Sequence, residues 1–93
     1  MRFIVDEITK IPEDGNRILI LYGEVERGTL LKHMTVHLEI LGQSFRVRKI
    51  KAEGEDVNEA SAGQQVGVIL DGLQNVRVHL GEVLVGDSKD GTS

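Results

Sequence analysis

Four cations stand close together in Arg46, Arg48, Lys49 and Lys51, and they are the chief local feature of the chain with chemical promise. On an extended strand Arg46 and Arg48 share one face, because successive side chains alternate. With Lys49 and Lys51 beside them they are suited to RNA phosphates or to an acidic protein surface. The plain alternative is a solvated face, partly paired with Glu39. No aromatic residue lies beside them on that face to stack on bases, since the neighbouring Phe45 alternates to the other side, which argues against single-strand binding. The histidines suggest a metal, but His33 and His37 lie on a stretch that reads as strand. Four strand residues span roughly 13 Å, too far for one ion. His79 stands alone. The carboxylates Glu53, Glu55, Asp56 and Glu59 crowd one turn without the ligand spacing of a calcium loop. There is no Gly-x-x-x-x-Gly-Lys-Ser/Thr phosphate loop, and the tail around Gly86–Gly91 has neither its order nor a following helix. A Ser-His-Asp constellation on a strained elbow is likewise missing. The expectation is therefore no catalytic residue, no metal and no cofactor or nucleotide.

Composition narrows the classes further. The chain has 93 residues, a net charge of −4 and no cysteine. That length suits one domain with one modest core. Without cysteine there are no disulfides and no thiolate sites. Aromatics make up 3% of the chain, so Val, Ile and Leu must build the core. The net charge lowers the expectation of binding dominated by phosphate neutralisation. No apolar run approaches the ~20 residues of a membrane span, and the expectation is a cytoplasmic protein without membrane contact.

The elements that must position the cations are strands. Met34, Val36, Leu38 and Ile40 alternate with Thr35, His37 and Glu39, the period-2 signature of a half-buried strand. A two-residue loop at Gly42-Gln43 predicts a hairpin with Ile40 facing Phe45 and Leu38 facing Val47. Glu39 would then face Arg46 outside, and His37 would face Arg48. Beyond Arg48 the phase breaks at Ile50 and Ala52, which predicts a β-bulge near Arg48-Lys49. Further strands are expected at Arg2–Val5, Arg17–Glu26 (bending at Gly23), Val66–Leu70, Val76–Val78 and Glu82–Val85. Asp56 to Ala60 is the one stretch suited to a helical turn. Residues 1–86 read as the domain and 87–93 as a disordered tail.

The glycine and valine spacing brings a resemblance into view. Phe3-Ile4-Val5 followed by Ile11-Pro12, then Gly23-Glu24-Val25-Glu26-Arg27-Gly28, resembles the second domain of translational GTPases such as elongation factor Tu. Ala62-Gly63-Gln64-Gln65-Val66-Gly67-Val68-Ile69-Leu70-Asp71-Gly72 and the closing Gly81-Glu82-Val83-Leu84 are similar to the same domain, in the same order. The resemblance covers residues 3–85. It implies an all-β, closed six-stranded Greek-key barrel with a loop at Ile11-Pro12. Gly28 and Gly63 are expected to take positive φ, and Gly67 to let something pack closely on its face. The family commonly carries Gly where His33 stands. In elongation factor Tu the first loop carries an aromatic that helps hold the aminoacylated end of transfer RNA. The matching position here is Thr9, followed by the longer acidic loop Glu13-Asp14-Gly15-Asn16, so that role is not carried over. The GTPase domain itself is not in this sequence. The resemblance implies a binding module without catalysis, associated with the ribosome or RNA. The alternatives are a protein-interaction barrel that serves an enzyme on another chain, and an enzyme with an unfamiliar site.

Overall fold

In the computed structural model, residues 1–13, 15–40, 42–73 and 78–86 are described. The strands are β1 (Arg2–Glu13), β2 (Asn16–Arg27), β3 (Thr29–Leu31), β4 (Thr35–Leu38), β5 (Ser44–Ala52), β6 (Glu55–Val57), β7 (Glu59–Ser61), β8 (Gln65–Leu70) and β9 (Val83–Gly86). Six of them pair in the order β4-β9-β1-β2-β8-β5, and β5 pairs back to β4. The ring is therefore closed, which leaves it no open edge. β9 inserts between β4 and β1, giving the expected Greek-key barrel. β6 extends the far end of β5, and β3 pairs with β7 as a separate ribbon.

Alternation predicted the faces well. Phe3, Val5, Leu21, Val25, Val36, Leu38, Val47, Ile50, Val68 and Leu84 all lie fully inside. No polar or charged residue among the described ones falls in the buried core. Gly28 and Gly63 take φ of 74° and 95°, as their turns were expected to require. At Gly23, where a bend was expected, the pairing of β1 with β2 is irregular. A register shift falls between Val5 and Glu7, across from Gly23. A Cβ on Gly23 would sit 1.8 Å from the Ile4 carbonyl oxygen, so only glycine allows the strands this approach.

Several expectations are corrected. The hairpin pairs Val36 with Phe45, Thr35 with Arg46 and His37 with Ser44, so the register is displaced from the expected one. The turn closes between Leu38 and Gln43: the Gly42 N–H donates to the Leu38 carbonyl at 2.7 Å, and the Leu38 N–H to the Gln43 carbonyl at 3.1 Å. Ile40 is 76% exposed rather than packed on Phe45. Glu39 meets Arg2, at 3.7 Å, rather than Arg46. The reason is that a period of two cannot tell one even slip from another. Ring closure decides, because β4 must also place Leu38 opposite Leu84 and Val36 opposite Gly86.

Asp56 to Ala60 form no helical turn. They divide between β6 and β7, and β6 folds back on β5 through Glu53-Gly54. Both turn residues have positive φ, 53° and 84°, the signature of a tight type I′ hairpin. A lone helical turn pays nucleation without propagation, so the hairpin wins. Ile11-Pro12 is not a loop either. β1 runs on to Glu13, with Ile11 opposite Ile18 and Pro12 opposite Arg17. Ile18, Ile20 and Ile69 bury one another outside the barrel, with Ile11 packed against them, and this second cluster holds the long ribbon. Of the expected Val76–Val78 strand, Val78 is not in a strand, and residues 76 and 77 lie outside the described residues, as does the tail 87–93.

Candidate functional site: the outer face of β5

The bulge expected near Arg48-Lys49 is present. β8 pairs Leu70 with Val47 and Ile69 with Lys49, leaving Arg48 as the extra residue. Its consequence is chemical. Without it, Arg46 and Arg48 would point out while Lys49 and Lys51 pointed in. The bulge resets the phase, so Phe45, Val47 and Ile50 are buried. Arg46 and Arg48 are exposed, and Lys49 and Lys51 are half-buried on the outer side. All four predicted cations share one outer surface.

Two of them touch carboxylates. Arg48 Nε lies 4.0 Å from Asp71 Oδ1, and Lys51 Nζ lies 3.1 Å from Asp56 Oδ1. The Lys51 ammonium, by hydrogen bond and by charge, holds the Asp56 carboxyl below the usual carboxylate range, with Lys49 and Lys32 adding to the effect. These pairs are exposed and tune the patch without cancelling it.

The fold supplies the aromatic that the sequence does not place beside the cations. Tyr22 stands opposite Gly67 on β8, and Gly67 stands opposite Lys51 on β5. The Tyr22 ring lies over Gly67: a Cβ there would be 2.7 Å from Tyr22 Cε1. That is the close packing predicted for Gly67. Tyr22 is 37% exposed. Tyr22 and Lys51 line one cleft of about 380 Å³, whose other walls include Asp6, Glu7, Glu53 and Gln65. Tyr22 was legible only as the outward member of the Ile18, Ile20, Tyr22 alternation.

The histidines stay apart. His33 occupies the turn before β4 with φ of 76°, His37 lies on β4, and His79 Nδ1 is 3.2 Å from Glu82 Oε2. Among the described residues no group of three or more His, Cys, Asp or Glu is placed to hold a metal ion. Nor is any helix among them long and apolar enough to cross a membrane.

A closed six-stranded antiparallel barrel is the architecture of a translation-factor accessory domain. Residues 19–87 match the family described as elongation factor Tu domain 2, and the chain belongs to that family. Its fold is similar to that of translation elongation factor SelB from Methanococcus maripaludis, with TM-score 0.77, 24% identity, and coverage of 96% of this chain and 19% of that one. A bacterial selenocysteine-specific elongation factor, EF-Sec, matches with TM-score 0.74 and 26% identity over 90% of this chain and 14% of its own. Sup35 complexed with GMPPNP matches with TM-score 0.71 and 27% identity over 96% of this chain and 21% of its own. The chain thus spans about a fifth or less of each of these proteins.

Proposed function

We propose that this barrel is a non-catalytic binding module that holds RNA, ribosomal RNA in the first instance, on the outer face of β5. The observation that carries the reading is the bulge at Arg48, which gathers Arg46, Arg48, Lys49 and Lys51 on one surface two strands from the Tyr22 ring. Cations on a strand at this spacing meet successive phosphates, and an exposed ring beside them offers a stacking platform. Kinship with a domain of translation factors makes the ribosome the natural source of that RNA. Fold alone does not assign a function, so the weight rests on the face itself.

The experiment is co-sedimentation with ribosomes and filter binding to ribosomal RNA fragments across a salt series. With three or four phosphate contacts, a fourfold rise in salt should weaken binding by roughly tenfold or more. Arg46→Glu with Lys49→Glu should abolish it. Binding that ignores both salt and these substitutions would sink the reading. Calorimetry with GTP should give no heat of binding, because the chain carries no phosphate loop; micromolar affinity would require a nucleotide site of another kind.

A further inference from the structure

A further cation reaches the basic face from outside β5. Lys32 follows β3, and its backbone N–H donates to the Asn58 carbonyl at 2.9 Å, which ties the β3–β7 ribbon to the end of β6. That places Lys32 beside the β5–β6 hairpin. There Lys51 stands opposite Asp56, and Lys49 lies two residues back on the same outer side. The Asp56 carboxylate therefore meets ammoniums from two elements: Lys51 directly, at 3.1 Å, and Lys49 and Lys32 through their charge.

Among the described lysines, Lys32, Lys49 and Lys51 are half-buried and Lys10 is exposed. Stems laid along the protein surface hold their ammonium groups in place. The other acids of this region are Glu53, which lines the Tyr22 cleft, Glu55, opposite Ala52, and Glu59, opposite Leu31. Among the described residues, none of these comes within ion-pair distance of the three lysines, and Lys32 and Lys49 have no ion-pair partner. The charges that set the potential at Asp56 are the three ammoniums, and all of them favour its charged form. One carboxylate is too small an anion for this setting. Its oxygens meet Lys51 and leave the donors of Lys49 and Lys32 open. A phosphate group carries further acceptor oxygens and can meet all three.

We propose that Lys32, Lys49 and Lys51 form a cradle for one phosphate group, and that Asp56 fills it in the free protein. As a site for a backbone phosphate of RNA, the cradle rests on the reading of β5 given above and extends it onto the β3–β7 ribbon. The phosphate displaces Asp56 from Lys51, and the strand runs on toward Arg48 and Arg46. The Lys51–Asp56 pair is exposed, so displacing it costs little. Asp56 is then a built-in competitor. It holds off a lone phosphate, and it yields to a chain of phosphates that Arg46 and Arg48 also hold.

The test is amide chemical-shift mapping of the full chain with an oligouridylate and, separately, with inorganic phosphate. The oligonucleotide should shift Lys32, Lys49, Lys51 and Asp56 together with Arg46 and Arg48, and inorganic phosphate at the same phosphate concentration should not. Asp56→Asn should tighten the oligonucleotide about fivefold at low salt, the effect of one unit charge close to a phosphate. Lys32→Met should weaken it and lower the salt slope by about 0.7, the share of one contact on a single strand. Shifts at Arg46 and Arg48 without Lys32 and Asp56 would overturn the cradle and leave the RNA reading standing. Shifts of the cradle by inorganic phosphate alone would keep the cradle, assign it to free phosphate and remove the RNA reading. Silence toward both ligands would overturn both, and an Asp56→Asn variant with unchanged affinity would deny Asp56 its role as competitor. The mapping uses the unaltered protein, so it decides even if a variant does not fold.

Discussion

His33 shows how much one residue's backbone can cost. Its φ of 76° lies in the left-handed region, where non-glycine residues are strained and histidine is better tolerated than most. The backbone holds it there: the His33 N–H donates to the Val47 carbonyl at 2.8 Å, and the Met34 carbonyl accepts from the Val47 N–H at 2.9 Å. His33→Gly should therefore stabilise the barrel by about 0.5–1 kcal/mol, the relief of strain exceeding the added freedom of the unfolded chain. Urea denaturation is the measurement, and a loss of stability would show that the histidine ring does something in the fold. Phe45 and Arg46 are adjacent and opposite in fate. Phe45 is 6% exposed, so Phe45→Ala should cost roughly 3–5 kcal/mol, whereas Arg46→Ala should cost under about 1 kcal/mol. Equal costs in the same denaturation series would contradict the assignment of their faces.

At the scale of elements, the β5–β6 hairpin combines a type I′ turn with the Lys51–Asp56 pair, at 3.1 Å. The folded Asp56 carboxyl has its pKa lowered from 3.8, chiefly by Lys51. A depressed carboxyl stabilises the fold at pH values above its unfolded pKa. That contribution is lost as pH falls through the lower, folded value. Following the Asp56 carboxyl carbon by NMR should show a midpoint below 3.8, and Lys51→Met should move it back toward 3.8. An unmoved midpoint would mean that the pair seen here does not persist in solution. The β2–β8 contact offers a second check. Gly67→Ala places a Cβ 2.7 Å from Tyr22 Cε1 and 3.0 Å from Ile20 Cγ2, so the tyrosine must leave its seat. The ring resonances of Tyr22 should shift strongly, and RNA affinity should fall while the β4–β5 hairpin stays intact.

Across the whole molecule, a net charge of −4 coexists with four outward cations gathered on β5, two of which touch carboxylates at Asp71 and Asp56. Tyr22→Ala should weaken single-stranded RNA binding by about 1–3 kcal/mol if one base stacks on the ring, with little change in the salt slope. Lys49→Glu should instead flatten that slope. Filter binding at several salt concentrations separates the two effects, and identical responses would deny Tyr22 a stacking role.

What the amino-acid order determined by itself was mostly local. Alternation assigned Phe45 and Val47 to the core and Arg46 to the surface, since the two faces of a strand follow from its pleat alone. Glycine spacing showed the gap at Gly67 and the family of the barrel, since each glycine reflects a steric demand at one position. The phase break after Arg48 revealed the bulge for the same reason. The pairing of β4 with β5 was decided elsewhere: slips by an even number of residues keep apolar opposite apolar, and only closure of the ring through β9 selects among them. The continuation of β1 through Pro12 likewise depended on the isoleucine cluster that β2 and β8 assemble. The site was half legible. Its cations are neighbours in sequence, but Tyr22 and Lys51 reach one cleft only because β8 lies between their strands, with a glycine where a side chain would have kept the ring away.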